Sequence, residues 1–134
     1  LTVHVADEAA WAGTDVQGAL TEWAPVFALV LTDSADADVT LGGPLATDVV
    51  ATDVGATATT ETSGSRITGC RVALDESLRG SDVTGILTHE LGHCLGLSHS
   101  IEGPSVMFFS ELGGSQLSST VTAVDLNHVK EMYR

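Results

Sequence analysis

The stretch from His89 to His99 reads HELGHCLGLSH, and a helix followed by a tight turn would gather its three imidazoles and one carboxylate around a single metal ion. Histidines four apart share one helix face, so His89 and His93 project side by side from successive turns. Glu90 follows the first of them and lies about 100° around the helix, beside the ion rather than on it. That is the place for a general base acting on water activated by the metal. Gly96 lets the chain leave the helix with φ > 0 and turn back, which brings His99 in as a third ligand. Nitrogen ligands at roughly 2.0–2.1 Å suit zinc, and three protein ligands leave a fourth position open, as in catalytic rather than closed structural sites.

The pattern H-E-x-x-H-x-x-G-x-x-H resembles the zinc signature of the metzincin metallopeptidases. Ser100 after the last histidine, and Ser105-Val106-Met107 beyond a short gap, resemble the matrixin branch. The resemblance makes Met107 the methionine of a tight turn beneath the metal. It implies an α/β (α+β) fold: a twisted five-stranded, mostly parallel sheet with one antiparallel edge strand, three helices and a small C-terminal subdomain after Gly96. It covers residues 1–134 as a single catalytic domain, with an upper subdomain of about 1–96 and a lower one of about 97–134. In matrixins an aspartate of the closing helix supports the methionine turn, a role that falls here on Asp125. A Pro-x-Tyr segment walls the substrate pocket in that family. Here the stretch is Phe108-Phe109-Ser110-Glu111, so Phe108 and Phe109 either line an apolar pocket or belong to the core.

Composition bounds the rest. Five Lys and Arg against 18 Asp and Glu give a net charge of −13, which argues against nucleic acid and anionic membrane surfaces as partners. No apolar run approaches the length of a membrane span. The expectation is a secreted, monomeric domain acting on proteins or peptides, a mature form already trimmed of its leader.

Cys94 follows His93 directly and so points away from the metal. With Cys70 on a strand beneath the helix, the pair would form a disulfide of the kind that persists outside the cell; the alternative is two buried thiols. His4 and His128 have no partner at ligand spacing and read as surface residues of a strand and a helix. Calcium is conceivable at Asp33, Asp36 and Asp38, but the run lacks the full oxygen-ligand pattern and its glycine, so an acidic turn is the reading adopted.

Hydrophobic spacing supplies the elements that position these groups. Residues 1–7 alternate as a strand does. Val16, Ala19, Leu20 and Trp23 define a helix over about 15–24, with Thr14 and Gln17 as its capping box. Residues 27–32, 37–41, 54–60 and 66–75 read as strands, the last two joined through Ser63-Gly64-Ser65. If 54–60 is the sheet edge, an extended substrate would add to it as a further strand. Ser81 or Asp82 would cap the metal helix, whose Val83, Ile86, Leu87, Leu91, Cys94 and Leu95 form an apolar sector. Glu90 falls in phase with that sector, where a carboxylate needs a specific partner. A last helix spans about 118–133.

The activity these readings predict is zinc-dependent endopeptidase cleavage, with Glu90 as the base and His89, His93 and His99 as ligands. A secreted module that keeps zinc but only captures peptides or an inhibitor is the alternative, and hydrolysis of a non-peptide amide is a third reading.

Overall fold

The computed structural model describes residues 1–42, 49–53, 56–63, 66–108 and 117–133. In chain order these form β1 (Thr2–Val5), a single-turn α1 (Glu8–Trp11), α2 (Val16–Glu22), β2 (Val30–Leu31) and β3 (Val39–Leu41). There follow β4 (Val49–Asp53), β5 (Ala56–Ser63), β6 (Arg66–Leu74), a 3-10 turn (Glu76–Leu78), α3 (Thr84–Cys94) and α4 (Ala123–Met132).

One twisted sheet, in the order β2-β1-β3-β6-β5-β4, carries these strands. β1 pairs in parallel with both β2 and β3, and β3 with β6. β5 runs antiparallel to β6, and β4 antiparallel to β5. The mostly parallel α/β sheet with three main helices is the expected architecture, and among the described residues it holds one strand more than expected. β4, with the β-branched Val49, Val50 and Thr52 among its residues, pairs over 49–53 with residues 56–59 of β5, the register shifting between Val49 and Ala51. The stretch expected over 54–60 is therefore not the sheet edge there, and substrate addition to it is ruled out along that overlap. Residues 64–65, the centre of the expected hairpin turn, lie outside the described residues, although Ser63 and Arg66 pair across it.

Local caps differ from those the sequence suggests. Asp15, not Thr14, caps α2 by accepting the Gly18 N–H at 2.9 Å. The Thr14 hydroxyl instead accepts the Val83 N–H at 3.1 Å and donates to the Ser81 carbonyl at 3.0 Å, tying the start of α2 to the start of α3. Val83 stands at the N-cap of α3, while Asp82 beside it accepts from the backbone and hydroxyl of Thr84. α4 begins at Ala123, later than spacing suggests, because Thr122 and Asp125 form a reciprocal capping box.

α3 packs against α2 and against β5 and β6. Its Leu87 and Leu91 are fully buried, as are Trp23 of the α2 cap and Val3 and Val72 of the sheet. Trp23 is buried without an unsatisfied donor, because its indole N–H reaches the Thr88 carbonyl at 3.0 Å. Cys70 on β6 and Cys94 on α3 form the disulfide expected of them, with Cα atoms 5.5 Å apart. Closing a loop with a sequence separation of 24 is worth about 3.5 kcal/mol in the chain-entropy model. The helix is thus fastened covalently to the strand below it.

Four aspartates are held below the ordinary carboxylate range by groups that donate to them. Asp7 accepts chiefly from the Arg79 guanidinium, Asp38 from the Thr2 N–H, Asp75 from the Ser77 N–H and Asp82 from the Thr84 hydroxyl. A folded-state pKa below the unfolded value of about 3.9 favours folding fully above that pH, and the advantage drains away as pH falls through the folded value. Asp7→Asn is therefore expected to unfold at a lower temperature than wild type at pH 7, and the gap to close below about pH 4. Thermal melts of both proteins across pH check this; a gap that stays constant down to pH 3 contradicts it.

Candidate active site

α3 brings the motif histidines together as its periodicity predicts. The Nε2 atoms of His89 and His93 stand 3.2 Å apart. With His99 included, the three donor nitrogens all lie within 4.8 Å of one another. Two ligands held tetrahedrally at roughly 2.05 Å from zinc are separated by about 3.3–3.4 Å, so the spacing of the first pair already matches an ion between them. The ring centroids are 4.8, 4.9 and 5.2 Å apart.

The other ring nitrogens explain why the Nε2 atoms face inward. His89 Nδ1 lies 2.6 Å from the Val106 carbonyl, and His93 Nδ1 lies 2.8 Å from the Leu97 carbonyl. A carbonyl can only accept, so both Nδ1 atoms carry the proton and Nε2 is the nitrogen that each ring turns toward the other histidines. Backbone carbonyls as orienting partners are a recurrent feature of metal-binding histidines. Spacing could not reveal them, because a carbonyl has no residue signature.

Glu90 lies on the buried side of the helix and has no solvent exposure. A carboxylate in that position, one residue from His89, is suited to exchanging protons with a molecule held at the histidine cluster.

Two turns complete the arrangement. Gly96 has φ +101°, a conformation that favours glycine. Its N–H bonds the His93 carbonyl at 2.9 Å, and the Leu97 N–H bonds the Gly92 carbonyl at 3.0 Å, the paired bonds of a Schellman ending. That ending delivers both the Leu97 carbonyl to His93 and the chain to His99. The second turn, Ser105 to Met107, is buried beneath α3. A side chain at Gly92 would collide with the Met107 sulfur and come within 3.0 Å of Trp23, so methionine and helix meet where only hydrogen fits.

Asp125 fixes the second turn. Its fully buried carboxylate accepts from the Ser105 hydroxyl at 2.5 Å and the Val106 N–H at 3.0 Å on one side. On the other it accepts the Thr122 N–H at 2.9 Å. Ser105 in turn accepts the Met107 N–H at 3.0 Å. Sequence reasoning singled out Asp125 but not Ser105, whose hydroxyl links the two.

The remaining candidates fall elsewhere. Phe108 is buried, and Phe109 lies outside the described residues. His4 is half-buried rather than solvent-facing, with Nδ1 3.2 Å from the Thr32 carbonyl. His128 sits 3.8 Å from Glu102 on the surface of α4. Of the acidic turn, Asp38 is engaged by the Thr2 backbone at 2.7 Å.

Asp125→Ala would strand buried N–H and O–H donors, and the expected loss is roughly 3–4 kcal/mol of unfolding free energy. Urea unfolding measures it. Asp125→Asn, which keeps one acceptor, should fall between the two; an alanine variant as stable as wild type contradicts the assignment.

No curated protein is significantly similar to the chain. A family model for the matrixins, peptidase family M10, matches residues 3–134. Matrixins are zinc-dependent endopeptidases, and the histidine cluster is the donor set such an enzyme requires. With the match running through the sheet, the helix of His89 and His93, His99 and the methionine turn alike, the chain belongs to the matrixin family.

Proposed function

We propose that the chain is a secreted endopeptidase that cleaves peptide bonds at a single zinc ion held by His89, His93 and His99, with Glu90 as the proton carrier. The observation that carries this is the convergence of three imidazole nitrogens, within 4.8 Å of one another, next to a carboxylate with no solvent exposure. When bound, zinc supplies Lewis acidity, polarising the peptide carbonyl and lowering the pKa of water toward neutrality.

The chain's own groups do the rest. Nδ1-protonated His89 and His93 present Nε2 in fixed directions, because the Val106 and Leu97 carbonyls hold the rings. Glu90 accepts a proton from the attacking water and later delivers it to the leaving nitrogen, so that no free amide anion is expelled. Its burial keeps the carboxylate away from competing bulk solvent.

In this reading the chain divides into an upper part of about 1–96 and a lower part of about 97–134, with the substrate bound between them at the histidines. The substrates in this reading are extended proteins or peptides, bound by a monomer. Among the described residues no helix is long and apolar enough to cross a membrane. The net charge of −13 would draw cationic substrates by long-range attraction, more strongly at low salt.

Glu90→Gln is expected to bind zinc as wild type does while cleavage of an unfolded protein falls by roughly 10²–10⁴-fold. Chelation of wild type should abolish cleavage, and added zinc should restore it. Chelator-insensitive cleavage contradicts the zinc mechanism. A wild-type chain that binds zinc and peptide without cleaving supports the non-catalytic alternative instead.

A further inference from the structure

The turn that ends α3 carries two responsibilities at once. Its Leu97 carbonyl orients the ring of His93, and two residues later the chain reaches His99. Whatever fixes residues 95–97 therefore fixes one proposed ligand and the route to another. The Schellman bonds hold the turn from within, and a further contact holds it from outside.

That contact comes from the chain's single tyrosine, just beyond α4. The Tyr133 hydroxyl donates to the Leu95 carbonyl at 2.5 Å. Leu95 is the C-cap of α3, at the end where helix carbonyls lack partners within the helix and the dipole is negative. The ring of Tyr133 meets Phe27 edge to face, with centroids 5.1 Å apart. A Cβ placed on Gly96 would lie 3.0 Å from the Met132 sulfur and 3.5 Å from the Tyr133 hydroxyl, so the end of α4 is pressed against the turn itself.

The other end of α4 does the matching task. Asp125 takes the Val106 N–H, and the Val106 carbonyl orients His89. One helix thus grips both segments whose carbonyls aim the histidine rings.

We propose that Tyr133 is a positioning residue of the metal centre, which acts through the Leu95 carbonyl to hold the turn that orients His93 and delivers His99. This rests on the reading of those histidines as zinc ligands. Tyr133 is half exposed, so removing its hydroxyl leaves the ring against Phe27 and the core undisturbed.

The test compares Tyr133→Phe with Phe27→Leu, which keeps the hydroxyl but loses the ring contact. Zinc affinity is measured by competition with a chromophoric chelator, and ligand geometry by the visible absorption of the cobalt-substituted protein. Tyr133→Phe is expected to bind zinc about tenfold more weakly, the effect of loosening an outer partner of a ligand, with shifted cobalt bands. Phe27→Leu is expected to keep zinc affinity within about twofold, whatever its melting temperature. Zinc affinity and cobalt bands unchanged in Tyr133→Phe overturn the proposal. Equal loss in both variants also overturns it, since packing rather than the hydroxyl would then be responsible. A wild-type chain that takes up no zinc overturns both this proposal and the reading of the site.

Discussion

Two hydrogen bonds from imidazole Nδ1 to backbone carbonyls, His89 to Val106 and His93 to Leu97, are the constraint on which the arrangement depends. They settle the tautomer of each ring and turn its second nitrogen toward the common centre. A main-chain acceptor is only as well placed as the turn that carries it. The two turns are accordingly held from outside as well as within: one by the positive φ of Gly96 and the Tyr133 hydroxyl, the other by the four-membered set of Asp125, Ser105, Val106 and Thr122.

α3 is held with comparable care. The disulfide joins it to β6, the Trp23 indole bonds its Thr88 carbonyl, and Gly92 admits Met107 against its backbone. Each of these acts on a different side or level of the helix, which limits both rotation and sliding. Rigidity of this kind matters for a metal centre because ligands already in place lose little entropy when the ion binds. The acidic balance of the chain is a separate matter: it governs encounter and solubility, not the geometry of the histidines.

How much of this was readable in the sequence follows from which groups carry a residue signature. The three histidines and the cysteine pair are chemically distinctive at fixed spacing, and the structure brings each set together; Met107 and Asp125 were legible only through the family resemblance. The parallel core of the sheet was readable too, since its strands are runs of β-branched and apolar residues. β4 was not, because it lies in a Thr- and Ala-rich stretch where alternation is weak, and its pairing with β5 changes which strand stands outermost. Nor were the carbonyls of Val106 and Leu97, or the hydroxyls of Ser105 and Tyr133, whose roles arise only when segments distant in sequence meet. Caps were misplaced by one or two residues for the same reason: Thr14 bonds across to Val83 instead of closing its own helix.

X-ray absorption at the zinc edge of the metal-loaded protein tests the central claim most directly, because it reads the ligand atoms without reference to activity. Three imidazole nitrogens and one oxygen donor, at roughly 2.0–2.1 Å, are the shell expected from His89, His93 and His99 with an open fourth position. A shell containing sulfur near 2.3 Å, or one with fewer than three imidazoles, would contradict it.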